Sequence, residues 1–256
     1  NASINYLHNF IICIYYANSV CCVVSGKTAR IVGGQKAPED FGKFHASLQN
    51  VSGHHVCGSA VVSKWHVVTS AHCVDGAKPR YIKLVAGTHN LDVGGKKHDI
   101  DSIHIYKGYN KTSKENDIAV LKLKKPFDLR HIDLLKLRQK VLKEGDEVAL
   151  TGFGAVEPHG DSSRKMYSLN LSVFSQETCE FAMRYNRPIT SDMFCTFAQI
   201  GQGTCHGDSG SPLVKGNELV GLASWGVPCA VGFPDVHTRI SPFVDWIQTF
   251  IKNNYC

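Results

Sequence analysis

The chain has 256 residues, of which 43% are hydrophobic, and a formal net charge of +6 at pH 7. This composition is sufficient for a buried core, and an all-β chain can form one unit of about 200–250 residues. We interpret Lys122, Lys124 and Lys125 as a solvated face and expect no nucleic-acid partner. Ten cysteines without a C-x-x-C pair or zinc-finger spacing indicate disulfides in an oxidising compartment.

The first 26 residues are predicted to be a signal segment. Apolar runs occupy Phe10–Tyr16 and Val20–Val24, and both are too short for a membrane span, which needs about 20 apolar residues. Small residues at Ser25 and Gly26 fit a cleavage site. There is no initiating Met and no cation before the apolar run, so a truncated segment and a functionless hydrophobic tail both remain open. We expect a secreted, extracellular protein without a membrane partner.

Short β-type runs separated by turn clusters recur through the rest of the chain. The turn clusters include residues 92–95 and 159–161. Many short strands at this spacing predict a β-barrel or a β-sandwich. The predicted strands are Val61–Thr69, Tyr81–Ala86, Ile118–Leu123, Glu147–Thr151, Ser168–Phe174, Leu219–Ser224 and Val236–Ile240.

Helical periodicity is clear only near the end of the chain. Apolar residues there recur from Phe243 to Ile251 at the spacing of one helix face, with Pro242 near the first turn and Ser241 as the predicted N-cap. A shorter helix is predicted over Gln176–Tyr185.

Three segments carry residue types suited to nucleophilic catalysis. Each alone has an ordinary structural interpretation: a buried histidine, the first residue of a strand, or a glycine turn. Together, and in this order, they resemble the chymotrypsin family of serine proteases, and the resemblance extends from Ile31 to about Ile251. The segments are Val68-Thr69-Ser70-Ala71-His72-Cys73, Asn116-Asp117-Ile118-Ala119-Val120-Leu121 and Gly207-Asp208-Ser209-Gly210-Ser211-Pro212, with further matches at Ile31-Val32-Gly33-Gly34, Cys57-Gly58 and Ser224-Trp225-Gly226.

The resemblance implies a Ser-His-Asp mechanism on two six-stranded antiparallel β-barrels packed together, with a C-terminal α-helix and the active site between the barrels. Ser209 would be the nucleophile, His72 the acid and base, and Asp117 the group that orients the imidazole. A serine hydroxyl needs such a base because it is a poor nucleophile at neutral pH. The backbone N–H groups of Gly207 and Ser209 would bind the oxyanion.

The resemblance also implies a zymogen. Residues 27–30 would be a short activation peptide, and residues 31–256 the protease domain. Cleavage after Arg30 would free the α-amine of Ile31, which would pair with Asp208 inside the protein. A trypsin-like protease is the expected activator, because the cut follows an arginine.

The cysteines follow the same pattern. The resemblance implies the disulfides Cys57–Cys73, Cys179–Cys195 and Cys205–Cys229, and it leaves Cys256 without a partner. Two positions depart from the family pattern, because Ser211 and Ser59 stand where glycine is common. A side chain there would cost on the order of 1–2 kcal/mol if the backbone φ were positive.

The primary specificity pocket would comprise Gly203 at its floor, with Ser224, Trp225, Gly226 and Asp235. Without an aspartate at the floor, the pocket favours Phe, Tyr, Leu or Trp before the cut, as in chymotrypsins. Asp235 stands where glycine is usual, which keeps a broad-specificity collagenolytic type open and makes a strictly trypsin-like preference the weakest alternative. We hypothesise that Asp235 pairs with His237, two residues along the same strand. The alternatives are that Asp235 is solvated or exposed to the pocket, or that it hydrogen-bonds the backbone while His237 faces water.

No cofactor and no metal are expected. The region that binds calcium in several relatives carries Lys96, Lys97 and His98 here, which are not calcium ligands. The expected partners are protein or peptide substrates, the activating protease and proteinaceous serine protease inhibitors, and the protein is expected to be a monomer. A digestive or venom role is favoured over a role in a proteolytic cascade, and the choice between digestive and venom stays open. A non-catalytic homologue that only binds partners is the alternative from another class, but it would usually lack one of the three catalytic residues.

Overall fold

The computed structural model describes residues 11–16, 19–24, 32–157 and 160–252. Strands β1 (Ile11–Tyr16) and β2 (Ser19–Val24) pair with each other in antiparallel register. The predicted cleavage sites near Ser25 and Gly26 and after Arg30, together with Ile31 and Cys256, lie outside the described residues. No helix within these ranges is long and apolar enough to cross a membrane.

The first barrel consists of six antiparallel strands that follow β3 (Gln35–Lys36). Their spatial order is β4-β5-β6-β9-β8-β7, and β7 pairs back onto β4 to close the barrel. Alternate residues point inward, as Ala46 and Leu48 do on one strand and Leu84 and Ala86 on another. The strands are β4 (His45–Asn50), β5 (His55–Val61), β6 (His66–Thr69), β7 (Ile82–Ala86), β8 (Lys96–Ile105) and β9 (Ala119–Leu123).

The second barrel closes in the order β11-β12-β13-β16-β15-β14, with β14 pairing back onto β11. Strand β10 adds to β15 in parallel, and β3 pairs with β12. The two closed barrels confirm the predicted all-β fold. The strands are β10 (Lys136–Leu137), β11 (Glu147–Gly152), β12 (Tyr167–Val173), β13 (Met193–Phe197), β14 (Pro212–Lys215), β15 (Glu218–Trp225) and β16 (Asp235–Arg239).

A shared hydrophobic cluster joins the two barrels. Phe44, Val68 and Val120 of the first barrel pack in one buried group with Leu219 and Leu222 of the second. The C-terminal helix adds its apolar face to the same group. The barrels therefore meet across packed side chains.

The predicted strand over Val61–Thr69 was wrong, because β5 ends at Val61 and β6 begins at His66. Ser63 explains the break. Its hydroxyl accepts the backbone N–H groups of Trp65 and His66 at 3.1 and 3.0 Å, which stabilises a tight turn. The residues predicted as one strand instead contain the turn of a hairpin between β5 and β6.

Both predicted helices are present with different ends. Helix α1 (Gln176–Met183) stops two residues early and begins with Ser175, whose hydroxyl accepts the N–H of Thr178. Helix α2 (Val244–Lys252) is preceded by a 3-10 turn over Ser241–Phe243. Ser241 makes no capping hydrogen bond because it already belongs to this turn, so its prediction as the N-cap was wrong.

Candidate active site

His72 lies on a short 3-10 helix (Ala71–Cys73) that directly follows β6. The disulfide between Cys57 and Cys73 ties this helix to β5. The hydroxyl of Ser70, just before this helix, donates to the carbonyl of Ala223 at 2.9 Å. This bond connects the start of the helix to β15 of the other barrel. The imidazole, with 20% of its side chain exposed, is thus held at the junction of the barrels.

Asp117 is fully buried just before β9 and binds His72 in two places. Its Oδ1 accepts the backbone N–H of His72 at 2.8 Å, and its Oδ2 lies 2.6 Å from His72 Nδ1. The hydroxyl of Ser224 also donates to Oδ2, at 2.5 Å. This carboxylate favours the tautomer with hydrogen on Nδ1, which leaves Nε2 free to accept a proton.

Ser209 is positioned by its backbone. Its carbonyl accepts the N–H of Gly58 at 2.8 Å, and the N–H of Gly210 donates to the carbonyl of Ala223 at 2.7 Å. Ser70 binds that same carbonyl, so the turns that carry Ser209 and His72 share one anchor. Within residues 32–157 and 160–252, the Ser209 hydroxyl itself makes no hydrogen bond. Catalytic hydrogen bonds are often long in unliganded enzymes and shorten when substrate binds.

Gly210 shows why this turn needs glycine. Its φ is +74°, and a Cβ at this position would overlap Thr69 Oγ1 and the carbonyl of Gly58. A side chain there would separate the turn carrying Ser209 from the segment that leads to His72.

The loop before Ser209 is held in place by contacts that the sequence analysis did not predict. The carbonyl of Gly207 lies 2.9 Å from Nε2 of His55, whose Nδ1 lies 2.8 Å from the hydroxyl of Ser47. Gly207 has a φ of +92°, and a Cβ there would lie 2.6 Å from the Ser162 hydroxyl. No local sequence signal marks His55, because its partner is 152 residues away.

Asp208 lies completely buried beneath this loop. Its carboxylate accepts the N–H groups of Gly154 and Cys205 at 2.9 and 3.0 Å. Burial raises its pKa to about 7, although these two hydrogen bonds oppose the shift. Among the residues that the structure describes, no cation forms an ion pair with it. The site is therefore a buried carboxylate that would be stabilised by a positive charge.

A cavity of about 260 Å³ opens beside Ser209. Of the residues assigned to the specificity pocket, Ser224, Trp225 and Gly226 line this cavity, whereas Gly203 and Asp235 do not. A Cβ placed on Gly203 would be 2.8 Å from Asp235 Oδ2, and one on Gly226 would be 3.4 Å from Oδ1. The other lining residues are Thr204, Cys205, His206, Gly207, Ala223 and Pro228.

Thr204 separates the Asp235 carboxylate from the cavity. Its backbone N–H donates to Oδ2 at 2.8 Å and its hydroxyl donates to Oδ1 at 2.6 Å. Burial raises the pKa of Asp235 to about 6, with the Thr204 bonds acting in the opposite direction. The base of the pocket therefore contains an acid that titrates near neutral pH.

The hypothesis that His237 pairs with Asp235 was wrong, since the two form no ion pair. His237 is completely buried, with Nε2 2.7 Å from the Thr196 hydroxyl and its ring 5.2 Å from that of Phe194. Burial lowers its pKa to about 3, so the imidazole is neutral. Although both side chains lie on the same face of the strand, Asp235 is hydrogen-bonded to Thr204 and His237 to Thr196.

The disulfides implied by the resemblance are the pairs found in the structure. Besides Cys57–Cys73, Cys179 on α1 binds Cys195 on β13, and Cys205 binds Cys229 at the wall of the cavity. Cys57, His72 and Cys73 also form a group that could resemble a metal site. The two sulfurs are bonded to each other and lack the thiolate that metals bind, so we assign no metal to this group.

The two serines at glycine-type positions carry no backbone strain, because neither has a positive φ. The hydroxyl of Ser59 donates to the carbonyl of Ala46 at 2.8 Å. The buried hydroxyl of Ser211 has no partner within the described ranges, and nothing in the structure explains this choice.

Comparison with known proteins agrees with this arrangement. The model of the family described as Trypsin matches residues 31–247. The chain belongs to the trypsin family. Chymotrypsin-2 of Vespa crabro is 35% identical over 220 residues, which cover 85% of this chain and 98% of that protein. Trypsin-3 of Salmo salar is 33% identical over 248 residues, covering 93% of this chain and 100% of the relative. As a trypsin-family member, the protein is a serine endopeptidase.

Proposed function

We propose that this trypsin-family protease cleaves after large aromatic residues and leucine, with Ser209 as the nucleophile. His72 Nε2 removes the proton from the Ser209 hydroxyl as it attacks the scissile carbonyl, and then passes it to the leaving amine. The acyl-enzyme is hydrolysed by water through the same two residues. The hydrogen bond between His72 Nδ1 and the buried Asp117 carboxylate is the observation that best supports this assignment.

Asp117 stabilises the imidazolium that forms on His72 during attack. Its carboxylate has no contact with solvent and accepts bonds from His72 and Ser224. A charge in such a site acts more strongly than in water because the surroundings are less polarisable. Two contacts with Asp117, at the backbone N–H and at Nδ1 of His72, fix the orientation of the ring.

The backbone N–H groups of Gly207 and Ser209 bind the oxyanion of the tetrahedral intermediate. The contact of the Gly207 carbonyl with His55 and the positive φ of Gly207 fix the backbone on the C-terminal side of this N–H group. One such donor contributes about 3–4 kcal/mol in comparable sites.

Activation proceeds by cleavage after Arg30. The freed ammonium of Ile31 then pairs with Asp208, which the described residues leave without a cation. The raised pKa of this carboxylate supports the proposal, because a nearby ammonium would lower it again and hold the charged form. The backbone N–H of Cys205, two residues before Gly207, donates to the Asp208 carboxylate, so the pairing would order the oxyanion site.

Primary specificity follows from the cavity beside Ser209. Gly226 at its wall lets a large side chain enter, and Thr204 shields the carboxylate behind it. Phe, Tyr, Leu and Trp are therefore the preferred residues before the cut. Asp235 favours a second candidate, a broader protease that also accepts Lys and Arg, because its carboxylate lies close behind Gly203 and Gly226.

The expected setting is extracellular protein digestion. A trypsin-like protease activates the zymogen, peptides and proteins are the substrates, and proteinaceous inhibitors bind the same cleft. No cofactor takes part in the proposed reaction. The short activation peptide supports a digestive or venom role over a role in a proteolytic cascade.

Cleavage profiling on a peptide library tests the proposal. The zymogen is activated with immobilised trypsin, which is then removed, and products are read by mass spectrometry. Cuts after Phe, Tyr, Leu and Trp should dominate, and Ser209→Ala should abolish them. Cuts mainly after Lys and Arg in the trypsin-free sample would contradict the assigned specificity.

A further inference from the structure

Two loops meet beside Trp225, outside the residues assigned to catalysis. The first, residues 110–116, leads into Asp117, and the second follows helix α1 and contains Arg187. The backbone N–H of Asn116 donates to Asp192 Oδ2 at 2.7 Å and joins the first loop to the end of the second. Two cations, Lys114 and Arg187, lie on these loops.

Arg187 is fixed against the wall of the substrate cleft. Its guanidinium carbon lies 5.3 Å from the centre of the Trp225 ring, and both side chains are half-buried. Trp225 lines the cavity next to Ser209. Substrate residues that precede the scissile bond would therefore pass close to the Arg187 guanidinium.

Lys114 lies on the first loop, two residues before Asn116, whose N–H joins this loop to Asp192. Its pKa is lowered chiefly by burial; the charge of Asp117 opposes this shift, and the charge of Arg187 adds to it. Its backbone has a φ of 65°, in the left-handed region, and its N–H donates to the carbonyl of Asn110 at 2.8 Å. The turn thus fixes where the Lys114 side chain leaves the loop.

Neither cation has an acidic partner within the part of the chain that the structure describes. The neighbouring Lys111, by contrast, forms an ion pair with Asp75 at 3.0 Å. Asp192, the buried acid nearby, already accepts bonds from Asn116 and from the Thr190 hydroxyl. Two half-buried positive charges on loops that are bonded to each other, with Arg187 against the cleft wall, form a surface complementary to carboxylates.

We propose that Lys114 and Arg187 form a subsite that selects Asp or Glu at two to four residues before the scissile bond. The inference rests on the proposed function, because it needs a substrate that passes Trp225 to reach Ser209. The substrate class is thus a peptide with acidic residues followed by a large hydrophobic residue at the cut. The two charges act on substrate binding and do not touch the reacting atoms.

Matched peptides test this subsite. Three peptides with Phe before the cut carry Glu, Gln or Lys at the three preceding positions. The activated enzyme should cleave the Glu peptide about two- to fivefold better than the Gln peptide for each favourable contact, chiefly through KM, and the Lys peptide least well. The advantage should shrink as salt rises from 50 to 500 mM, because exposed charges are screened.

Variants separate this subsite from general charge effects. Lys114→Gln and Arg187→Gln should each reduce the ratio of the Glu to the Gln peptide, and the double variant should bring it to about one. Lys111→Gln removes a paired cation from the same loop and should leave the ratio unchanged. Equal cleavage of the Glu and Gln peptides by the unmodified enzyme, or an undiminished preference in the double variant, would overturn the proposal.

A failure of the proposed function gives a different result. If the activated enzyme cleaves none of the three peptides, the assignment of primary specificity fails. Binding of labelled Glu and Gln peptides to Ser209→Ala then decides the subsite on its own, by fluorescence anisotropy. The subsite is supported if Ser209→Ala binds the Glu peptide more tightly than the Gln peptide and if this difference is lost when Lys114→Gln and Arg187→Gln are added. Equal binding of the two peptides by Ser209→Ala overturns the subsite.

Discussion

The carboxylate of Asp235 accepts two hydrogen bonds from Thr204, one from its backbone N–H and one from its hydroxyl. Thr204 lines the cavity beside Ser209, while Asp235 lies behind it. Thr204 therefore gives the pocket a neutral lining, and the titratable carboxyl group of Asp235 lies behind that lining. The specificity of the protease should therefore depend on pH in a way that a purely apolar pocket would not show.

The preference for Arg over Phe should rise with pH. The pKa of Asp235 is raised to about 6, so its carboxylate is mostly protonated at pH 5 and ionised at pH 8. The ratio of kcat/KM for matched Arg and Phe substrates should grow roughly tenfold over this range, equivalent to about 1.4 kcal/mol. Taking the ratio cancels the titration of groups that affect both substrates alike.

Asp235→Asn should make this ratio low and independent of pH, because the amide cannot ionise. Asp133→Asn removes an exposed carboxylate and should leave the wild-type profile unchanged. A ratio that is flat in the wild type, or that still rises in Asp235→Asn, would show that another group controls the pocket.

Ser224→Ala should slow catalysis by weakening the support of Asp117. The variant loses the 2.5 Å bond to Oδ2 and leaves a buried charge with fewer donors. Hydrogen bonds to charged groups contribute about 1.5–3 kcal/mol, so kcat/KM should fall about 10- to 100-fold. Ser172→Ala, a half-buried serine on β12, is the control. Unchanged kcat/KM in Ser224→Ala would mean that this bond does not assist His72.

Asp208→Asn should abolish most activity without unfolding the protein. Removing one member of a buried ion pair typically costs about 3–5 kcal/mol. Without the carboxylate, the ammonium of Ile31 would lose its partner, and the segment that carries Gly207 would no longer be held in place. Activity should fall by at least about 100-fold, while far-UV circular dichroism and N-terminal sequencing report a folded chain beginning at Ile31. Near wild-type turnover with that N-terminus would contradict the proposed activation.

His45 should make the protein less stable in acid. It is buried, with Nδ1 3.0 Å from the Thr151 hydroxyl, and burial lowers its pKa to about 3, with the charge of His55 adding to the shift. An unfolded histidine titrates near 6.5, so between these values the unfolded chain binds more protons. Stability that is present above about pH 6.5 is therefore lost as the pH falls toward 3.

His45→Gln keeps a hydrogen-bonding group near Thr151 but cannot be protonated. In urea unfolding it should be about 1 kcal/mol less stable than the wild type at pH 7.5. Between pH 7.5 and 4.5 this difference should change by about 2–3 kcal/mol in favour of the variant. His54→Gln, at an exposed position, serves as the control. A constant difference between His45→Gln and the wild type across this range would refute the linkage.

The short strands predicted a β-barrel or a β-sandwich, because strand pattern is a local feature, and only the resemblance to the chymotrypsin family implied two closed barrels. Strand pattern missed β4, β8, β13, β14 and all of β5 except Val61. In β8 the apolar signal is weak, because Ile100 is its only buried residue. The strand pattern joined β5 and β6 because the apolar residues around Ser63 run almost without interruption. Local pattern therefore indicated the fold class better than it indicated the strand ends.

Side-chain direction was the part that sequence could not supply. Asp235 and His237 share a strand face by periodicity, yet Thr204 and Thr196 bind them separately. The bond between His55 and Gly207 joins residues far apart in the chain and has no local signature. Such contacts depend on how the barrels pack, which spacing alone does not specify.

Covalent labelling tests the central assignment, Ser209 as the nucleophile of an enzyme activated at Arg30, most directly. The zymogen and the trypsin-activated protein are each treated with a fluorophosphonate probe, and the modified residue is located by tandem mass spectrometry. The account predicts near-stoichiometric labelling of Ser209 only in the chain that begins at Ile31, with labelling lost in His72→Ala. No label, a label on another serine, or equal labelling of the uncleaved zymogen would contradict it.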